Sequence, residues 1–541
     1  MISKKNIFSM MYCQSLILTN KNYSLQTLNL NKSYSTFHKW ILDFFKNHPK
    51  YNEFVLKKPT LEVNMSDYKY VQLKTIPTDE LLNKFSFGCS KPFHYKIDQE
   101  LLNRINDMSI NQILVLMDTC LSEKNKLSTK SVSFKKCLDL MDELWFRRPD
   151  LTASQTIQLL YYVSIYKKKA KPTVEFGLQK LMNEINYLKQ SSDEELSVLA
   201  LTTFKSNAKV YDKMLRIFAY RLEKNLSKLI QNPMHFVSLI KPLKKAKYHD
   251  QILLTKLTTT FSNNINKASH GVISSVHLLT YLADANYGDV IFLQQLIDSI
   301  GNCMIKDNLK NYRIKDVSNY LFSVSYLGLT PKDPNVGKII NDFMNQLFYT
   351  KEKCQSQSKL LIGMCLSMWM LDYKPIQLMK FMFSEISIAA LRMPNAHKLH
   401  NRLDLLLTCA SIEQPNLIIQ YQLVKNALNV MPESFKHLGE RPFLVKVFQT
   451  LKKLNLSKVE YNFSIPYLKI LGIQIINNTG EVIYIEVLDN STCLYNTEIP
   501  NGMMKLKYRL ESKLNYNVIT IKESSLNNST SLESHLKVLL S

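Results

Sequence analysis

The residues best spaced to do chemistry in this chain of 541 residues are lysines that recur after apolar helical segments. Lys124 and Lys126 form one group, and Lys167, Lys168, Lys169 and Lys171 the next. Lys205 and Lys209 follow, then Lys244, Lys245 and Lys247. Ammonium groups set at intervals along one edge grip phosphates without reading sequence, with an affinity that falls steeply as salt rises. Tyr161, Tyr162, Tyr166 and Tyr248 stand near them in sequence. Exposed tyrosines stack on unpaired bases, whereas tyrosines at helical spacing more often fill a core. The same lysines equally suit a solvated edge, since cations are favoured at helix C-termini, and both readings stand. Other chemistry lacks its residues. The 11 histidines form no HExxH pair, and there is no GxSxG and no GxxxxGK[ST] loop. His94, His235, His277 and His535 read as ordinary helix or loop residues. The 9 cysteines are scattered and lack any CxxC spacing, so neither a disulfide framework nor a zinc finger is expected. No metal and no cofactor is implied.

The elements that must position the lysines are helices. Only 12 glycines and 17 prolines punctuate the chain, while 45% of it is hydrophobic, which excludes collagenous and globally disordered chains and disfavours a fold of hairpins. From about residue 100 to 391, short amphipathic segments alternate with polar turns. One apolar i, i+3 pair can be aligned in each segment: Ile113/Leu116, Ile157/Leu160, Leu196/Leu199, Val237/Ile240, Val276/Leu279, Val317/Tyr320 and Leu361/Met364. Successive first members are 44, 39, 41, 39, 41 and 44 residues apart. A unit of about forty residues is a helical hairpin, and stacked hairpins form an α-solenoid. The lysine groups follow their anchors by a similar interval, which would line them along one edge.

The net charge of +24, from 69 Lys and Arg against 45 Asp and Glu, attracts polyanions whatever the fold. It also divides unevenly. Met1 to Leu42 contains no acid but holds Lys4, Lys5, Lys21, Lys32 and Lys39 among Ser, Thr and Asn. A basic, hydroxyl-rich, acid-free start has the character of a mitochondrial transit segment, assigned to residues 1–45. A secretory start finds less support, because polar residues interrupt the apolar stretch Ile7 to Leu18 and no small-x-small site follows. No run reaches the length of a membrane span; Leu360 to Leu371 is too short and reads as a buried helix.

After Pro466 the period changes from helical to alternating. Leu468 to Ile476 and Val482 to Leu488 read as strands around the turn Asn477-Asn478-Thr479-Gly480. Met503 to Leu514 reads as a helix, Asn517 to Lys522 as a third strand, and Ser531 to Leu540 as a closing helix with Thr530 and Glu533 at capping-box spacing. This small α/β module resembles the RAP domain. The resemblance rests on VIYIEVLD at Val482 to Asp489, KLKYRLESKLNYNVITIK at Lys505 to Lys522, and the closing helix. Upstream, RIKDVSNYLFSVSYLGLTP from Arg313 and LDLLLTCASIEQP at Leu403 to Pro415 resemble the two helical regions that precede RAP in the FAST kinase family. The resulting order is transit-like 1–45, a poorly defined linker 46–99, a helical array 100–312, FAST-type regions 313–383 and 395–466, and a RAP-like domain 467–541.

The resemblance implies an RNA-binding protein of the mitochondrial matrix that supports processing, mRNA stability or translation of organelle transcripts, with other RNA-processing or ribosome-assembly proteins as further partners. Kinase chemistry is not expected, because no Gly-rich phosphate loop, HRD-like run or DFG-type Asp occurs. The RAP domain is similar in fold to PD-(D/E)xK nucleases, in which carboxylates on adjacent strands hold a metal and a lysine assists water. Glu486, Asp489 and Lys505 or Lys507 are the corresponding candidates here. The strand before them carries no acid, Leu488 stands where the lysine belongs, and Asn490-Ser491-Thr492-Cys493 replaces the family's Gly-Pro-x-His-like run. One clear carboxylate makes a poor metal site. RNA binding is the leading expectation, with a RAP-based endonuclease or a protein-binding helical scaffold as alternatives.

Overall fold

The computed structural model describes residues 37–55, 73–86, 91–121, 131–147, 151–165, 170–263, 271–307, 309–347, 357–385, 397–420, 438–523 and 531–540. The protein is mainly helical, with a small mixed sheet near its C-terminus. Its described residues fall into two compact units that divide near residue 260.

The first unit opens with helix α1 (37–47), whose Phe37, Ile41, Leu42 and Phe45 share one face and are buried. This helix includes the last residues of the acid-free start. The stretch read as a linker, 46–99, contains two further helices, Thr78–Ser86 and the start of Lys91–Arg104. Tyr51, in the same stretch, is buried and donates to Glu195 Oε1 at 2.9 Å.

Alternate helices of this unit stack on one another. Helix α2 (Ala153–Ile165) packs on α3 (Asp193–Ser206), and α3 packs on α4 (Pro233–Lys245). Helix α2 is buried from Gln155 to Ser164, around its whole circumference, and α3 from Glu195 to Thr203. The intervening helices Ala170–Asn183 and Asp212–Gln231 pack beside them and bury one stripe each. Ser192 and Glu195 form a reciprocal capping box at the start of α3.

The second unit continues the pattern with α5 (Gly271–Asp284), α6 (Ile314–Leu327), α7 (Ser358–Met370) and α8 (His397–Glu413), each packed on the next. All fourteen anchor residues, from Ile113 to Met364, are at most 1% exposed. The stacked helices also end alike. Asn207, Lys247, Asn286, Gly328 and Asp372 all take left-handed backbone conformations, 10 or 11 residues after the anchors Leu196, Val237, Val276, Val317 and Leu361. At the last four, the next amide donates five residues back, Tyr248 to Leu243, Tyr287 to Leu282, Leu329 to Val324 and Tyr373 to Met368, which satisfies carbonyls the helix leaves open. Asn, Asp and Gly accept this conformation readily; lysine at 247 does so at a cost.

In the sheet, β1 (Lys458–Asn462), β2 (Gly472–Ile476), β3 (Val482–Leu488) and β4 (Val518–Lys522) lie in sequence order. The first two pairings are antiparallel and β3 with β4 is parallel, bridged by helix α10 (Gly502–Lys513), with α9 (Pro442–Leu451) preceding the sheet. Ile473 faces Ile485 and Ile475 faces Ile483 in register. These residues, Val487 and Ile521 form a core with Phe443, Leu444, Val447 and Leu451 of α9 and with Leu532 and Leu536 of the closing helix α11 (Leu532–Leu540). By the two-residue period of a strand, Tyr484, Glu486 and Leu488 face the opposite side.

Three sequence expectations need correction here. The strand expected from Leu468 begins at Gly472, because the preceding residues turn: Tyr467 is left-handed and the Leu468 and Ile470 amides bond to Ile465 and Leu468. Strand β1 falls within 395–466, the stretch expected to be the second helical region; its sequence KVEYN is polar at alternate positions and it lies at the sheet edge. The cap of α11 is Ser531, whose Oγ accepts from the Ser534 amide at 3.2 Å, while Thr530 lies outside the described residues.

Candidate nucleic-acid interface and the C-terminal carboxylates

Of the eleven candidate lysines, Lys124, Lys126, Lys167, Lys168 and Lys169 lie outside the described residues. The other six fall at or just beyond helix ends. Lys171, Lys209, Lys245 and Lys247 are exposed, and Lys205 and Lys244 are half-buried. Three of these residues lie near one carboxylate, Lys209 through its backbone amide. Lys171 Nζ lies 3.9 Å from Glu175 Oε1, the Lys209 amide donates to the same oxygen at 2.7 Å, and Lys245 feels both Glu175 and Lys171. Burial and the neighbouring Lys171 draw Lys245 below its ordinary value, with Glu175 opposing. Segments from three successive helical units, near residues 171, 209 and 245, therefore meet at Glu175. Lys205 is placed differently, with its ammonium 5.2 Å from the centre of the Tyr161 ring.

The tyrosines divide. Tyr161 and Tyr162 are fully buried; Tyr162 donates to Asp118 at 3.1 Å and Tyr161 meets His38 Nδ1 at 2.7 Å. Both belong to the core and cannot stack on bases. Tyr248 is half-buried and Tyr166 lies outside the described residues. Two of the histidines have ordinary surroundings: His94 meets the Phe85 carbonyl at 3.0 Å, and His235 sits against Trp40 and is held below its usual value by burial.

Of the nuclease candidates, Glu486 and Lys507 are brought together, while Asp489 and Lys505 take other partners. Glu486 and Lys507 are 1% and 0% exposed and pair at 2.5 Å, with Lys507 also donating to the Ile470 carbonyl at 3.1 Å. A second buried carboxylate, Glu511, lies one helical turn along α10, 3.9 Å from the same ammonium, and accepts from Ser464 Oγ at 2.5 Å. Asp489 is claimed by Arg441, whose Nε donates to it at 2.7 Å while its other nitrogens bond the Leu471 and Val487 carbonyls. Lys505 points elsewhere and donates to the Gly328 carbonyl at 2.7 Å. Glu486, Lys507 and Glu511 thus form an internal charge network covered by α10, inaccessible to a phosphodiester. A Cβ on Gly472 would stand 2.5 Å from Glu486 Oε1, so only glycine leaves room for that carboxylate. Glu511 and Ser464 carried no sequence signal, because neither belongs to the strand-end pattern.

Two carboxylates share one ammonium, and Oε2 of each accepts no hydrogen bond among the described residues. Burial and the facing Glu486 push Glu511 up to about 8, so it holds a proton at neutral pH. Its unfolded value is the ordinary 4.5. The folded module therefore binds a proton that the unfolded chain releases, and this stabilisation, complete below the unfolded value, fades as pH climbs through the folded one. Hydrogen exchange of the β3 amides in urea should show stability falling from about pH 5 to about pH 8 and levelling above that. Glu511→Gln should flatten that dependence; a wild-type module indifferent to pH would rule out the proton on Glu511.

Helix α10 also seats the module on the helical ends of its own unit. Gly502 starts the helix so close to α6 that an added Cβ would overlap the Ser325 carbonyl. One and two turns along, Lys505 reaches the Gly328 turn, and Arg509 Nη2 bonds the Trp369 carbonyl at 2.7 Å. Arg509 Nε also donates to Glu413 Oε1 at 3.0 Å, and Trp369 Nε1 donates to the other oxygen of Glu413 at 2.5 Å. Glu413 is 1% exposed on its side chain. The cations of α10 thus lie against helix C-termini, where the macrodipole favours them. Three of the stretches quoted for the family resemblance meet here: Gly328 comes from the one starting at Arg313, Glu413 from Leu403 to Pro415, and Lys505 and Arg509 from Lys505 to Lys522.

No protein-family model matches the sequence, and no curated protein matches it.

Proposed function

We propose that the protein is an RNA-binding factor of the mitochondrial matrix, of the FAST kinase type with a terminal RAP module, which supports processing, stability or translation of organelle transcripts. The helical part is read as an α-solenoid of hairpin units. Support for that reading comes from the burial of all fourteen periodic anchors and from the left-handed helix endings that recur in step with them. The observation that carries the function is the meeting of the Lys171, Lys209 and Lys245 segments from successive units at Glu175, Lys209 through its backbone amide, in a chain of net charge +24. Such an edge holds the backbone of single-stranded RNA without base readout.

The test is charge reversal. Full-length protein with Lys171, Lys209, Lys245 and Lys247 changed to Glu should lose affinity for single-stranded RNA by about a hundredfold or more, and its log K against log salt slope should shrink by up to about 3. Unchanged affinity and slope would remove the edge assignment. The endonuclease alternative draws no support from the candidate residues, since Glu486 is paired inside the module and Asp489 is held by Arg441.

A further inference from the structure

The carboxyl ends of the parallel strands β3 and β4 meet at a cleft of about 490 Å³. Ligands of α/β layers bind at that end of the strands, where the chain leaving each strand diverges. The floor of the cleft is apolar, formed by Leu488 and Cys493, which are buried and packed with Met504. The rim is polar and exposed, with Asn490, Asn496, Glu498 and Lys522, and Glu523 at the mouth. The loop that carries most of these residues is internally bonded. Cys493 N donates to Asp489 O at 2.9 Å, Leu494 N to Ile499 O at 2.9 Å, and Asn501 N to Thr492 O at 2.9 Å, while Arg441 anchors Asp489 from beneath.

The charges around the cleft cancel in pairs, Arg441 with Asp489 at 2.7 Å and Lys522 with Glu498 at 2.9 Å, which leaves Glu523. That balance disfavours a phosphate. A metal is not favoured either, because no group of three carboxylate, imidazole or thiol side chains suited to one occurs among the described residues. An apolar floor beneath two amides, each with a donor and an acceptor, suits a neutral planar ligand with hydrogen-bonding edges. A nucleobase has that chemistry, and a cleft of this size takes about one nucleoside.

We propose that this cleft holds one unpaired base of the bound RNA, so that the module selects bases while the lysines hold phosphates. The assignment rests on the RNA-binding reading above and adds selectivity to it. The test compares the affinities of the full-length protein for short oligo(A), oligo(C) and oligo(U), with the salt slope of each. The wild type should prefer one of them by roughly five- to a hundredfold, the range of a single base contact. Asn490→Trp, which fills the mouth from an exposed position, and Asn490→Ala, which removes the amide without adding bulk, should both erase the preference and leave the salt slopes unchanged. Binding without base preference in the wild type, or a preference that survives both variants, overturns the cleft assignment while leaving the lysine edge intact. Failure to bind any of the three strands overturns the RNA reading and this assignment with it.

Discussion

Replacing Lys507 with Met should unfold the C-terminal module at a cost of about 3–5 kcal/mol, the largest loss expected from a single substitution in this protein. Lys507 is fully buried and is the only ammonium within 4 Å of either Glu486 or Glu511 among the described residues. Methionine keeps the stem of the side chain, but it leaves two carboxylates facing each other in an apolar layer. Their most accessible escape is protonation, which one of them already favours. Lys507→Met combined with Glu486→Gln and Glu511→Gln removes the buried charges together and should recover most of the loss. The check is hydrogen exchange of the β3 and β4 amides across a urea series. A loss under about 1 kcal/mol in the single variant would mean that the network contributes little.

Arg509→Met should detach the module from the helix ends without unfolding its sheet, at a cost of about 2–4 kcal/mol. Arg509 satisfies the Trp369 and Met370 carbonyls and pairs with Glu413, so its loss leaves a buried carboxylate supported by Trp369 and by Lys374 at 3.8 Å. Trp369 reports the event directly, since its indole shares Glu413 with Arg509. Its fluorescence should shift and quench with urea well before β3 amides exchange, whereas in the wild type the two should move together. A double-mutant cycle with Glu413→Gln should give a coupling of about 1 kcal/mol or more; a coupling near zero would show that the pair does not hold the seat.

Much of this architecture was legible because its signals are local and repeated. An apolar i, i+3 pair every forty residues requires a buried helix face at each recurrence, and every anchor found one. The alternation in VIYIEVL and the Asn-Asn-Thr-Gly turn likewise specify a strand and its partner, and Val482–Leu488 pairs as that pattern demands. What stayed hidden depends on neighbours distant in sequence. The short edge strand at Lys458 has few apolar residues and is fixed by pairing with β2. Lys505 and Lys507 are two residues apart and look equivalent in KLKYRL, yet the helix turns one toward Gly328 and buries the other against Glu486. Tyr161 and Tyr162 looked available for stacking only because sequence does not show that α2 is buried on all sides. Glu413 and Arg509 are 96 residues apart, and no spacing rule links them.

An RNA-binding factor of the mitochondrial matrix must contact RNA inside that organelle. Ultraviolet crosslinking of the full-length protein in intact mitochondria, followed by its purification and sequencing of the attached nucleic acid, tests that most directly. Organelle transcripts should be recovered, and the yield should drop sharply when Lys171, Lys209, Lys245 and Lys247 are changed to Glu. Recovery of no RNA, or a yield indifferent to those four substitutions, would contradict it.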